Sequence, residues 1–229
     1  MNEEWNKFLE SVPWLPRKRD IVEVGSVKPQ GSWKPAGRDF QKLFAPMHDL
    51  LSEAKVTPVR INGRELVLFS WKGVEKRPSW LSPLPIRHEV QGVCREHAVL
   101  LQSFGGIIER GDDPDTWLMS HNDVLTIEEA SRDATFIEHY SWAFEDSGIP
   151  IPLKEYYSIA QEANGNTTLC NRATGRVILF APDHAFSHIV PLLGCPEYTL
   201  YDIKGAETFV TWVNTIADQW LSAGRGGRD

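Results

Sequence analysis

From Tyr156 onward the chain alternates short β-prone runs with tight turns and then closes on one striped helix. Tyr156 to Gln161, Thr167 to Asn171 and Val177 to Phe180 are the runs, and Asn164-Gly165-Asn166 and Ala173-Thr174-Gly175-Arg176 are the turns between them. Turns at this spacing predict an antiparallel meander, because strands joined by so few residues can only fold back on their neighbours. Tyr198 to Ile203 predicts a further strand. The closing helix, from about Ala206 to Trp220, places Phe209, Trp212, Val213, Ile216 and Trp220 on one face at helical spacing. Strands followed by a helix with one apolar stripe imply an α+β fold, a sheet partly wrapped by helices.

The first 80 residues read as an extension of mixed α and β character. Glu3 to Leu9 predicts a short helix, and Asp39 to Leu51 a second that Pro46 kinks or restarts. Val56 to Ile61 and Glu65 to Trp71 flank Asn62-Gly63, the strongest short hairpin signal because both residues tolerate positive φ. Pro78, Pro83 and Pro85 then predict a boundary, with a main domain over 81–222 and a disordered tail over 223–229. Val90 to Phe104 predicts a helix stopped by Gly105. Glu109 to Asp115 reads as an exposed acidic loop and Trp117 to Leu125 as a strand. Thr126 predicts a helix cap with Glu129 in the capping-box position, and Ala134 to Phe144 predicts a helix.

Charge divides the same way. Residues 1–80 hold 14 Lys and Arg against 10 Asp and Glu, whereas residues 81–229 hold 10 against 21. A region with a balance of −11 repels nucleic-acid phosphates, so no direct nucleic-acid binding is expected of it. It attracts a basic protein and speeds their encounter. No apolar run approaches the roughly 20 residues of a bilayer span, and the acidic, polar start is unlike a secretory signal. The expected setting is cytoplasmic. Cys94, Cys170 and Cys195 are an odd count without close spacing, so each is expected to be a small buried hydrophobe and not part of a disulfide framework.

Local catalytic motifs are not evident. His184 and His188 are four apart, the spacing of a helical zinc pair, but lack the glutamate between them and sit between Pro182 and Pro191. Cys94 and His97 are three apart with no second ligand pair at finger spacing. No Gly-x-Ser-x-Gly elbow and no phosphate-cradling loop occurs. No enzyme activity, cofactor or metal is expected, and a hydrolase using His184 or His188 is the remote alternative. Among nine tryptophans, Trp212 and Trp220 are expected in the core, while Trp5, Trp14 and Trp33 either pin the extension or touch a partner.

Leu100-Leu101-Gln102-Ser103-Phe104-Gly105-Gly106-Ile107 resembles the helix-then-Gly-Gly element of the SUKH superfamily. Ile149 to Trp220 is similar to the rest of its pattern: an Ile-Pro-Ile entry, a strand, an Asn-Gly-Asn turn, two further strands and an aromatic-striped helix. The resemblance covers roughly residues 88–222. The family's glycine-rich acidic turn stands here as Glu162-Ala163-Asn164-Gly165-Asn166, with a single glycine. The resemblance implies an α+β fold without a cofactor. It also implies one of two roles, an immunity protein that neutralises a polymorphic toxin, often a nuclease, or a regulatory scaffold of the Smi/Knr type. For a basic toxin the expected contacts are Glu109, Asp112, Asp113 and Asp115, then Glu128 and Glu129.

Overall fold

The computed structural model describes residues 2–35, 37–73, 78–112, 124–162, 164–183 and 188–225. The first helix, α1 (Glu3–Ser11), is capped by Asn2, whose side chain accepts from the Trp5 N–H. Strand β1 (Val22–Val24) follows, then α2 (Arg38–Leu43) and α3 (Ala45–Glu53), which divide at Pro46 in the first turn of α3. The hairpin β2 (Lys55–Ile61) and β3 (Arg64–Ser70) turns through Asn62 and Gly63, both at positive φ. With β1, β4 (Ser79–Pro83) and β5 (Glu109–Gly111) they form a five-stranded antiparallel sheet in sequence order.

Between β4 and β5 runs α4 (Arg95–Leu101). It is shorter than the periodicity predicts, because Gly92 adopts φ +79° and Cys94 is the extended residue before the helix. After β5 come α5 (Ile127–Ala130) and a succession of 3-10 turns over Ala134–Ser147, where a regular helix was expected. The second antiparallel sheet has the order β6 (Tyr156–Gln161), β7 (Thr167–Asn171), β8 (Val177–Phe180), β10 (Leu200–Ile203), β9 (Ile189–Pro191). The chain closes on α6 (Phe209–Arg225). Two antiparallel sheets with helices packed on them make this an α+β protein.

Each sheet has two buried faces, as period-2 alternation requires. Val67, Phe69 and Trp80 of the first sheet and Tyr157, Cys170, Val177, Leu179 and Tyr201 of the second point into one common core. Phe44, Met47 and Leu51 of α3 and the stripe of α6 fill that core. The outer face of the first sheet, with Val59, Leu66, Leu68 and Leu81, is covered by Trp5 and Phe8 of α1. That of the second, with Leu169, Ile178, Phe180 and Leu200, is covered by Ala134, Ile137 and Phe144. The sheets meet where Val124 bridges both Ile107 and Ala160.

The prolines near the expected boundary do not divide the protein. β4 lies between them, pairs with β3 from Leu66↔Pro83 to Ser70↔Ser79, and buries Trp80 completely. Trp71 and Trp80 meet Trp220 of α6 at ring-centroid distances of 5.5 and 4.5 Å, so the two sequence regions share one aromatic cluster. Among the described residues, no helix is long and apolar enough to cross a membrane.

Candidate functional site

The acidic segment that the sequence suggests is a loop begins as a strand. Pairing of β5 with β4, Leu81↔Glu109 and Ser79↔Gly111, fixes the backbone of Glu109. Helix α1 seats closely against the end of that strand: a Cβ on Gly111 would stand 2.5 Å from Ser11 Oγ and 2.6 Å from Ser79 Oγ, so a larger residue there would displace both serine side chains. This seating brings the residues after α1 to the strand. Trp14 Nε1 donates to Glu109 Oε2 at 2.8 Å, and Glu109 Oε1 accepts the Arg110 N–H at 3.1 Å. The Trp14 side chain is nonetheless 62% exposed. Asp112 follows at φ +50°, half-buried. Asp113 and Asp115 lie outside the described residues. Trp5 is buried under the first sheet and Trp33 packs edge-on to Phe69 at 4.9 Å, so of the three N-terminal tryptophans Trp14 alone presents its ring to solvent.

Glu128 and Glu129 part company. Thr126 caps α5 by accepting the Glu129 N–H at 3.1 Å, which leaves adjacent carboxylates on different faces. Glu128 is exposed and pairs with Arg64 Nη2 at 2.6 Å. Glu129 is buried, accepts from Ser158 Oγ and lies 3.5 Å from Arg132 Nη1. Its side chain ties α5 to β6 instead of reaching back to the cap or out to a partner. Glu128 borders an open groove of roughly 700 Å³ that also touches Arg60, Arg64, Leu84, Gly105 and Ile127.

The Gly-Gly step builds the floor of that groove, and its two glycines act differently from expectation. Gly106 holds the positive φ, +90°. Gly105 is required by close packing: a Cβ there would be 2.4 Å from the Pro83 carbonyl oxygen.

Sequence reading missed a buried polar cluster. His97 is fully buried between Phe209 and Tyr157, with ring centroids at 4.6 and 5.6 Å. Its Nε2 lies 3.0 Å from the Leu125 carbonyl, which can only accept, so Nε2 carries the proton and Nδ1 accepts from the Tyr157 hydroxyl, also at 3.0 Å. Burial holds His97 down at about 4, neutral at physiological pH. The Tyr157 oxygen accepts the Cys94 N–H at 3.3 Å and stands 3.4 Å from Cys94 Sγ. Cys94 and His97 thus find their hydrogen-bond partners within the core. His184 lies outside the described residues, and among the described residues no three metal-ligating side chains converge.

No protein-family model matches this chain, and no curated protein or solved structure matches it either.

Proposed function

We propose that this is a cytoplasmic, non-catalytic immunity protein of SUKH type that binds and neutralises a basic polymorphic toxin, with a nuclease as the favoured class. The observation that carries the reading is Trp14, an exposed ring braced by Glu109 at the acidic end of β5. Tryptophan is enriched among residues that dominate binding energy, and a ring already fixed by a hydrogen bond loses less freedom on binding. The surrounding carboxylates and the balance of −11 over 81–229 supply long-range attraction for a cationic partner. Asp112 follows Glu109 on this side, and Asp113 and Asp115 come next in the sequence as proposed contacts. Glu128 contributes through the groove, whereas the buried Glu129 serves the fold.

The reading is tested by co-expressing the protein with a basic polymorphic nuclease toxin, first with any that is encoded beside its own gene. The expected result is rescued growth and a complex that co-purifies. Failure of both would sink the immunity role and leave the Smi/Knr-type scaffold as the surviving protein-binding role.

A further inference from the structure

Cys94 and Cys170 are far apart in sequence, yet the fold sets their sulfurs 3.8 Å apart. Cys94 is the residue before α4, and Cys170 lies on β7 on the face toward the common core. Both are buried, but the cover is thin on one side. A Cβ added to Gly175, in the turn between β7 and β8, would lie only 3.9 Å from Cys94 Sγ, and the neighbouring Ala173 and Thr174 are exposed. The two thiols are also unequal. Cys94 is held below the ordinary thiol range, chiefly by the hydrogen bond from Cys170 and then by Tyr157, while the same contact and burial push Cys170 up. Cys195 packs in the separate core beneath the second sheet.

We infer that Cys94 and Cys170 form a peroxide-sensitive dithiol that closes to an intramolecular disulfide. A disulfide needs an S–S distance of about 2.05 Å, so the sulfurs must approach by roughly 1.8 Å from the 3.8 Å of the reduced pair. In the first step the Cys94 thiolate attacks one oxygen of hydrogen peroxide. The O–O bond breaks, Cys94 becomes a sulfenic acid, and the departing hydroxide takes up the proton Cys94 released, forming water. In the second step the Cys170 sulfur attacks the sulfenic sulfur. The S–S bond forms, the S–O bond breaks, and the leaving hydroxide departs with the Cys170 proton as a second water. Two thiols are oxidised and one peroxide is reduced. The link joins the start of α4, which leads into the Gly105–Gly106 floor of the groove, to the centre of the second sheet.

The test uses the full chain, reduced, exposed to hydrogen peroxide, cleared with catalase, and then alkylated in denaturant with N-ethylmaleimide before digestion and mass mapping. Before alkylation the expected product is about 2 Da lighter than the reduced chain; after alkylation it yields a linked Cys94–Cys170 peptide that dithiothreitol separates, with maleimide on Cys195 alone. Cys195→Ser should leave the linked peptide intact, and Cys170→Ser should abolish it. Maleimide on both Cys94 and Cys170 after peroxide has oxidised Cys195 would overturn the inference. So would sulfinic acid at Cys94 without a linked peptide, or a link from Cys94 to Cys195.

Discussion

His97 shows how one buried ring couples the core to pH. It is neutral in the folded protein down to about pH 4, whereas in the unfolded chain it takes up a proton near 6.5. Between those values the unfolded state binds more protons, so stability is lost as pH falls from 6.5 toward 4 and is fully present above that window. The loss from this group alone between pH 6.5 and 4.5 is about 2 kcal/mol. Urea unfolding at pH 7 and pH 4.5 should therefore show His97→Gln losing about 2 kcal/mol less than the wild type over that interval. Equal losses would mean that another group carries the acid sensitivity. At the same scale, Trp14→Ala should leave the unfolding midpoint nearly unchanged, since the ring is mostly exposed, yet weaken toxin binding by about 2 kcal/mol, roughly 30-fold. A binding titration decides it, and an unaltered affinity would remove Trp14 from the interface.

Among the elements, Gly105 and Gly63 separate two reasons for a glycine, close packing and positive φ, whereas Gly106 answers to both. Gly105→Ala drives a methyl into the Pro83 backbone, which cannot yield as a flexible side chain would, and should cost about 3 kcal/mol. Gly63→Ala meets open space and should cost only the left-handed penalty, about 1 kcal/mol. Paired unfolding curves test both, and equal costs would contradict the packing role of Gly105. The sequence reveals Gly105 as special but assigns it the wrong property, because its constraint comes from Pro83, some twenty residues away. Elements whose signals are local were legible: the Asn62-Gly63 hairpin, the division of α2 from α3 at Pro46, the meander from Tyr156 to Phe180 and the stripe of α6. Strand β4 was not, because Pro78, Pro83 and Pro85 resemble a linker when the partner strand β3 is unseen. Glu109 was legible as acidic, but its pairing with Leu81 and its hold on Trp14 are long-range facts. The Cys94–Cys170 contact was hidden for the same reason.

For the whole molecule, the charge asymmetry and the architecture give different partitions. Charge separates residues 1–80 from the remainder, but the common core draws Phe44, Met47, Phe69 and Trp71 from one side and Phe209, Trp212 and Trp220 from the other. Residues 1–80 therefore contribute to the common core along with the rest of the chain. A chain beginning at residue 81 loses three strands of the first sheet, the first two residues of β4, and Trp71 and Trp80 of the three clustered tryptophans, and should show neither near-ultraviolet circular dichroism nor a cooperative thermal transition. A sharp transition in that fragment would restore an independent C-terminal domain. The β5 end of the molecule carries Trp14 and Glu109, and the acidic stretch of sequence follows directly.

Capture of a basic toxin by this surface is our proposal, and it is checked by the association rate of the purified protein with a basic toxin, first any encoded beside its gene, as a function of salt. Rapid association that slows as salt rises is expected, with a slower, nearly salt-independent rate when Asp112, Asp113 and Asp115 are replaced by Lys. Absence of a complex, or a wild-type rate indifferent to salt, would contradict it.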